Sequence, residues 1–323
     1  MKKILFCLFV ALITTKAIQA QQISVVSPGG ATTLHRTFQE AINGADPGST
    51  IYLPGGGFNL PDSVKITKKL TIIGIGHKAN SDNADGNTMI QGNIFFNVGS
   101  SGSAIIGCYI TGRVKIGEDG IVNDMLVKQC FLNGVDVLNS GCTGTTINQN
   151  YVVDRLIMGD SNVIIKNNIV RWTNTGYGPC IYNVGSGIIQ HNILLYGSQS
   201  MAYINATVKD NVITAWDKLC SGTVTTSGNM GTKAFGDNAI VIDAENGWND
   251  VFVNYNNGQV STISNFHFKD PYKQYENQVG IYAGSGFSDE ALPPVPYIVA
   301  KNVDDKTDSS GKLNVKIRVK ANQ

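Results

Sequence analysis

A pattern of hydrophobic and polar positions recurs through the middle of the chain. An aliphatic residue or threonine is followed by two mostly polar residues and then by Asn or Cys, and in all but the last copy another aliphatic residue comes two positions later. The copies occupy residues 105–108, 127–130, 147–150, 165–168, 189–192, 208–211 and, in weaker form, 226–229. Successive Asn or Cys positions are 18 to 24 residues apart. A recurrence of this kind indicates a repeat architecture.

The spacing of the copies favours coils of short strands over the other common repeats. Helical repeats have periods of about 33 to 47 residues, and leucine-rich repeats need consensus leucines that are absent here. Three short strands joined by three corners fit the observed spacing, and variation in length falls in the corners, where insertions are tolerated. The sequence therefore predicts an all-β fold, a right-handed parallel β-helix (solenoid).

The Asn or Cys of each copy predicts an internal ladder. Asn tolerates the left-handed backbone conformation that a corner requires. Equivalent corners of stacked coils lie about 4.8 Å apart, so inward-pointing amides could hydrogen-bond to one another in a dry core. The spacing leaves open whether the first two members form a disulfide or pack as thiols. The predicted column runs through Cys108, Cys130, Asn150, Asn168, Asn192, Asn211 and Asn229.

The N-terminal end of the repeat region predicts a capping helix. Phe38, Ala41 and Ile42 follow helical spacing, and Thr37 with Glu40 forms a capping box. A solenoid needs such a cover over its open core.

The C-terminal end predicts a short β-hairpin. Prolines interrupt residues 292–296, and alternation of apolar and polar residues beyond them indicates a half-buried strand. We expect this strand to pair with residues 297–300 across a turn-like loop at 304–311. The alternating apolar residues are Leu313, Val315, Ile317 and Val319.

The first twenty residues have the pattern of a signal peptide. Lys2 and Lys3 precede an apolar run that is too short to span a bilayer, and Ala20 offers a small-residue cleavage point. We therefore divide the chain into a signal peptide (1–20), a parallel β-helix with its N-terminal cap (21–285), and a Pro-rich segment with terminal strands (286–323). The expected location is secreted, periplasmic or at the cell surface, with no membrane span.

Composition excludes several classes of partner. Charged residues make up only 15% of the chain, against about 25% in typical soluble domains. Without the leader, 22 basic and 24 acidic residues remain, which does not suggest a nucleic-acid partner. The five cysteines beyond the leader lack the spacing of a zinc site, so we expect no metal and no cofactor. The sequence carries no signal for the oligomeric state.

Two segments carry a resemblance to known proteins. Residues 38–42, Phe-Gln-Glu-Ala-Ile, followed by residues 47–54, Pro-Gly-Ser-Thr-Ile-Tyr-Leu-Pro, resemble the opening of right-handed parallel β-helix proteins of the pectate-lyase-like superfamily. Residues 279–284 and 292–298 resemble the closing segment of secreted β-helix proteins of Bacteroidetes-type bacteria. The resemblance implies polysaccharide as the commonest ligand class, through pectate lyases, polygalacturonases and alginate or chondroitin lyases, and also includes adhesins and phage tailspikes.

The resemblance implies a groove over the strand that precedes the ladder-bearing strand. Basic residues beside aromatic rings could hold an acidic sugar chain there, because charges pair with carboxylates and rings stack on sugars. The same residues could instead be an ordinary solvated face with packed tyrosines. The candidate binding residues are Arg113, Lys115, Asp136, Arg155, Tyr182 and Tyr203.

Catalytic signatures are weak in this sequence. It has no Gly-His-Gly segment, its only Asp-Asp pair is Asp304-Asp305 in the tail, and Asp124, Asp154 and Asp160 are scattered over the repeats. Inverting hydrolysis needs two carboxyl groups flanking a water, and calcium-dependent lyases need a dense carboxylate set. We therefore expect a polysaccharide-binding or surface-interaction protein without assigned catalytic residues. The alternative is a polysaccharide lyase or glycoside hydrolase acting on an acidic glycan.

Overall fold

The computed structural model describes residues 22–60, 64–78, 86–172, 178–195, 200–214, 220–255, 264–284, 286–289, 292, 296–304 and 306–320. The predicted signal peptide lies outside the described residues. Within them the chain forms a β-solenoid of about 8 turns built from stacked parallel coils, which confirms the predicted fold class.

Three parallel sheets, A, B and C, form the faces of the solenoid, and four of its strands bend from one sheet into another. Sheet A comprises β3 (Ser49–Tyr52), β6 (Leu70–Ile73), β9 (Ala104–Ile106), β11 (Leu126–Lys128), β13 (Thr145–Asn148), the second part of β15 (Leu156–Lys166) and of β17 (Ile181–Gln190), β20 (Thr207–Lys209) and β22 (Thr225–Ser227).

Sheet B follows the ladder positions. It comprises β4 (Gly56–Asn59), β7 (Thr88–Gln91), the first part of β10 (Tyr109–Ile116) and of β12 (Phe131–Val137), β14 (Tyr151–Val152), β16 (Ile169–Arg171), β18 (Ile193–Leu195), β21 (Val212–Ile213), β23 (Met230–Gly231) and β24 (Ile240–Val241).

Sheet C precedes sheet A in each coil. It is the face over which the resemblance implies a groove. It comprises β5 (Val64–Ile66), β8 (Ile94–Phe96), the second part of β10 and of β12, the first part of β15 and of β17, and β19 (Met201–Ile204).

The solenoid starts with an antiparallel addition to its first coil. Strand β1 (Ile23–Val26) pairs with β2 (Thr32–His35) and with β3. Between β2 and β3 lies the helix α1 (Phe38–Gly44), which begins with a capping box formed by Thr37 and Glu40. The buried side of α1 joins the same apolar cluster as the coil interior.

The aliphatic position of each repeat packs into the centre of the coils. Ile105, Val127, Ile147 and Ile165 occupy equivalent positions on successive strands of sheet A and are completely buried. Because side chains alternate between the two faces of a strand, their polar neighbours point outward. The repeat pattern therefore encodes one continuous hydrophobic core.

The predicted asparagine ladder is present. The side-chain amide of Asn150 donates to the Oδ1 atom of Asn168 (2.9 Å), and the same contact links Asn168 to Asn192 (3.0 Å), Asn192 to Asn211 (2.9 Å) and Asn211 to Asn229 (3.0 Å). Each Oδ1 also accepts the backbone N–H of the preceding ladder residue. The weak seventh repeat copy thus supplies a full ladder member.

The left-handed corner residue is not the ladder asparagine, as the sequence argument assumed, but the residue before it. Gln129, Gln149, Asn167, His191 and Asp210 have φ values between 52° and 59°. This conformation turns the chain so that the ladder side chain points inward. The side chain of the corner residue lies outside the coil.

All five described cysteines are free thiols. Cys108 and Cys130 are completely buried at the start of the ladder, which decides between the two alternatives in favour of packed thiols. Burial raises the pKa of the Cys130 thiol to about 12, so that it remains protonated and inert.

The chain leaves the coils after β24 and folds back over the outside of sheet B. This cover segment, residues 242–289, contains α2 (Trp248–Val251), β25 (Phe252–Asn254), β26 (Asn265–Phe268) and a 3₁₀ helix (Tyr272–Tyr275). Its aromatic side chains pack on the outward row of sheet B in a second apolar cluster. That row includes Tyr151, Ile169, Ile193, Val212 and Met230.

The predicted C-terminal hairpin is confirmed, but its predicted burial is wrong. Strand β27 (Tyr297–Val303) pairs antiparallel with β28 (Val315–Lys320). All six residues of β28 are exposed, on both faces of the strand. Alternation specifies which residues share a face, and here the apolar face has no cover among the described residues. No helix in the described part of the chain is long and apolar enough to cross a membrane.

Candidate functional site

The outer face of sheet C carries three of the six candidate binding residues in one axial row. Equivalent outward positions on its successive strands are Lys65, Phe95, Lys115, Asp136, Ile157, Tyr182 and Ala202. Neighbouring members are one coil apart, about 4.8 Å. The structure therefore brings Lys115, Asp136 and Tyr182 to one face of the solenoid.

Arg113 is bound by carboxylates rather than open to a ligand. Its Nε and NH2 atoms donate to the two carboxylate oxygens of Asp136 (2.8 and 2.7 Å), and NH1 donates to Asp154 (2.6 Å). NH2 also donates to the backbone carbonyl of Arg155 (2.7 Å). The Arg113 and Asp136 side chains are only 17% and 9% exposed. Two of the candidate binding residues, Arg113 and Asp136, thus form an ion pair with each other.

A glycine makes room for the Arg113 guanidinium. Gly134 lies opposite Arg113 on the next coil, just after an irregularity in the register of β10 and β12. A Cβ atom on Gly134 would come within 2.4 Å of the Arg113 NH2 atom and 2.3 Å of the Arg155 carbonyl oxygen. The absent side chain allows the guanidinium to cross this coil and reach Asp154.

Asp154 is the most accessible carboxylate of this group. Its side chain is 33% exposed. Burial raises the pKa of Asp154 and outweighs the opposing attraction of Arg113 and Arg155, while Asp136 adds repulsion. The guanidinium of Arg155 lies 4.4 Å from the centroid of the Trp172 ring, in a cation–π contact.

Lysines flank a phenylalanine at the N-terminal end of the row. The Nζ atoms of Lys65 and Lys115 lie 5.7 and 5.1 Å from the centroid of the Phe95 ring. Lys65 also forms a 3.0 Å ion pair with Glu118. The Lys115 ammonium group thus lies over the buried Phe95 ring on the outer face of sheet C.

Two tyrosines lie at the C-terminal end of the row, Tyr182 as a member and Tyr203 next to the last member, Ala202. The Tyr182 and Tyr203 rings meet edge to face with centroids 5.4 Å apart. Tyr203 is 61% exposed and has a left-handed backbone, with φ 56°. An exposed tyrosine in this conformation presents its ring to solvent beyond the strand surface.

The remaining scattered aspartates do not join this group of residues. Asp124 and Asp160 occupy left-handed corners, with φ values of 57° and 61°. A Cβ atom on Gly144 would lie only 2.3 Å from the Asp124 Oδ1 atom. The Asp124 side chain therefore packs on the neighbouring coil.

A cluster of polar side chains links parts of the cover segment to one another, and the sequence did not predict it. The His267 ring stacks on the Tyr282 ring with centroids 3.9 Å apart and an interplanar angle of 5°. Its Nδ1 atom contacts Glu276, and its Nε2 atom lies 2.9 Å from Asp289, which also accepts from the Tyr282 hydroxyl (2.7 Å). These residues are separated by irregular chain, so their sequence carried no periodic signal.

A second missed feature is a strap that runs along the corners. The strap comprises residues 279–284, 286–289 and 292, and the outward side chains of the left-handed corners bind its backbone. Asn167 donates to the carbonyls of Ile281 (2.9 Å) and Ala283 (2.8 Å). Gln149 and Gln129 donate to the carbonyls of Gly286 and Leu292, and the N–H of Gly280 donates to the Asp210 carbonyl. Polar side chains recur just before each ladder position, and this recurrence is the sequence signal that could have predicted the strap.

Among the described residues, no group of three or more His, Cys, Asp or Glu side chains is arranged to hold a metal ion. No known protein family, no curated protein and no solved structure matches the chain. Its function must therefore be argued from its own residues.

Proposed function

We propose that this chain is an exported β-helix protein that binds a polysaccharide along the outer face of sheet C without catalysing its cleavage. The location is secreted, periplasmic or at the cell surface, and the pectate-lyase-like resemblance of the opening and closing segments supports the ligand class. The carrying observation is the edge-to-face pair of Tyr182 and the exposed Tyr203, with Tyr182 in line with Lys115, on a face whose central arginine is already bound by carboxylates.

The spacing of this face suits an extended chain rather than a small molecule. From Lys115 to Tyr182 the row covers three coils, about 14 Å. Tyrosine rings offer apolar area with little loss of conformational entropy, and Lys115 supplies a charge for an acidic unit. These features fit recognition of several successive sugar units.

Among the described residues of this face, no acid and base pair is free, and this favours binding over catalysis. Hydrolysis of a glycosidic bond requires one carboxyl group to protonate the leaving oxygen and another to act as a base or nucleophile. Asp136 and Asp154 both accept hydrogen bonds from Arg113. Neither is therefore available for that chemistry without loss of an ion pair.

The test is binding of the protein to a panel of neutral and acidic polysaccharides. We expect Tyr203→Ala to weaken binding about tenfold, which corresponds to about 1.4 kcal/mol. Tyr52→Ala is the matched control, because Tyr52 is also exposed (42%) but lies on sheet A. Failure of every polysaccharide to bind, or unchanged affinity of Tyr203→Ala, would refute the proposal.

The second candidate function is a polysaccharide lyase or glycoside hydrolase acting on an acidic glycan. It is favoured by Asp154, whose pKa is raised and whose side chain remains partly exposed beside Arg155. The same panel separates the two functions. New reducing ends, or unsaturated products that absorb in the ultraviolet, would establish an enzyme, and Asp154→Asn should then abolish them.

A further inference from the structure

The centre of the strap rests on a histidine. A Cβ atom on Gly284 would lie 3.2 Å from Cδ2 and 3.3 Å from Nε2 of His191, so the strap backbone closes directly over the imidazole ring. Gly284 has a φ of 68°, a conformation that favours glycine. His191 is itself a left-handed corner residue, next to the ladder residue Asn192.

The hydrogen bonds of His191 require a neutral ring. The Gln190 side-chain amide nitrogen lies 2.9 Å from His191 Nε2 and 3.1 Å from Asp210 Oδ2. A side-chain amide nitrogen can donate two hydrogen bonds but cannot accept one. It therefore donates to both the Asp210 carboxylate and the imidazole, and His191 Nε2 must be the acceptor. The proton then lies on Nδ1, which is buried without a hydrogen-bond partner among the described residues.

Protonation of His191 would disrupt this arrangement. A second proton on Nε2 would face the Gln190 N–H and place a positive charge beneath Gly284. The charged groups that bear on the ring are Asp210, which favours the cation, and Lys166 and Lys209, which oppose it. Burial has the largest effect and lowers the pKa of His191.

The far end of the strap is held by separate contacts. The Nδ1 atom of His267 contacts Glu276, and its Nε2 atom lies 2.9 Å from Asp289. Lys78 adds a 2.8 Å hydrogen bond to the Asp289 carbonyl. None of these contacts involves His191, so the Asp289 end has an attachment of its own.

We propose that the strap is an acid-responsive element that opens at Gly284 when His191 is protonated, while its Asp289 end stays bound through His267. Opening frees the corner amides of Asn167 and Gln149 from the strap carbonyls. These amides form an axial row on the outside of the coils.

The direction of the pH effect follows from proton linkage. A histidine whose pKa is lowered in the closed state favours closure at pH values above its ordinary value of about 6.5. As the pH falls below that value, the open state binds the extra proton, and the closed-to-open ratio decreases by up to about tenfold per pH unit. The decrease ends below the closed-state pKa of His191.

Hydrogen exchange measured by mass spectrometry on the full chain tests the proposal, with each rate corrected for the intrinsic effect of pH. Between pH 7 and 5, we expect loss of protection in a peptide covering residues 279–284, and retained protection in residues 286–289. His191→Gln, which keeps a neutral polar side chain, should abolish the loss. His35→Gln is the matched control, because His35 contacts Thr33 far from the strap. A pH-independent profile, or an unchanged loss in His191→Gln, would overturn the proposal.

Discussion

At the scale of single residues, the ladder asparagines satisfy the polar groups that the turns bring inside the coils. Each interior amide donates to the next Oδ1 and also to a backbone carbonyl, as Asn192 does to Ile165 (2.9 Å). From Asn168 onward, each Oδ1 accepts from the side chain and the backbone N–H of the preceding member, as Asn192 does from Asn168. An unpaired buried polar group costs about 1–3 kcal/mol, so the members depend on one another.

Asn192→Ala should therefore be strongly destabilising. The substitution leaves the Asn168 backbone N–H without its acceptor, removes one acceptor of the Asn168 amide, and removes the side-chain donor to the Ile165 carbonyl. We expect the free energy of unfolding to fall by about 3 kcal/mol or more, measured by urea denaturation. Asn59→Ala, at an exposed position of β4, should change it by less than about 0.5 kcal/mol. Equal effects of the two substitutions would contradict a buried ladder.

Arg113 provides a second prediction at this scale. Arg113→Met should lower the free energy of unfolding by about 3 kcal/mol, because Asp136 would be left buried without its partner. Lys115→Met is the control, since the Lys115 cation lies on the outer surface over Phe95. Thermal denaturation measures both. If Arg113 instead served as a free ligand-binding group, its loss would reduce binding and leave stability unchanged.

The sequence predicted the ladder but not the Arg113 ion pairs, for a physical reason. Ladder positions recur, and the same hydrogen bond is possible at each of them. The contact between Arg113 and Asp154 depends on a single register irregularity and on the missing side chain of Gly134. Such local adjustments leave no periodic trace, so the sequence placed these candidate residues on neighbouring coils but could not predict their ion pairs.

At the scale of elements, the cover segment protects an apolar surface that the coils cannot bury themselves. Tyr151, Ile169 and Ile193 point outward from sheet B, yet each is at most 3% exposed because the described part of the cover segment lies over them. Phe287, which belongs to the strap, also covers this row, because its ring packs on the Tyr151 ring with centroids 5.0 Å apart.

Deletion of residues 242–323 should expose that surface. We expect binding of a hydrophobic dye and concentration-dependent association, because a contiguous apolar row of this length would face water. Deletion of residues 304–323 is the control, since it removes β28, which is exposed throughout. Dye fluorescence and light scattering provide the readouts. A deletion of 242–323 that stays monomeric and binds no dye would show that the cover is dispensable.

The hairpin shows how far alternation can be used. The apolar and polar residues of β28 do separate onto two faces, and the strand pairs with β27 as predicted. Burial needs a second surface, however, and Val315, Ile317 and Val319 are 49%, 56% and 56% exposed. A period of two therefore predicted the element and its pairing but not its environment.

At the scale of the whole molecule, coils that contact only their neighbours should unfold progressively unless something joins distant ones. The strap supplies such a connection, because it binds corners from Gln129 to Asp210 across five coils. The cover adds an apolar contact along much of the same length. We therefore expect the solenoid to unfold as one cooperative unit.

The buried cysteines can test this cooperativity. Cys108, Cys130, Cys180 and Cys220 are distributed along the solenoid, and burial raises the pKa of each thiol, to about 12 for the last three. A thiol reagent should therefore react slowly with the native protein and fast once a coil opens. Mass spectrometry of labelled peptides over a urea series would give a midpoint for each cysteine.

A single midpoint for all four cysteines is expected in the full chain. In Asn167→Ala, the Ile281 and Ala283 carbonyls of the strap lose their hydrogen bonds from Asn167, and Cys180 and Cys220 should become reactive at lower urea than Cys108. The reason is that the coils beyond Asn167 would then keep the Gly280–Asp210 hydrogen bond to the strap but lose the link through Asn167. Asn133→Ala is the control, because the exposed Asn133 bonds the Thr111 carbonyl away from the strap. Separate midpoints in the unsubstituted chain would mean that the strap does not unite the coils.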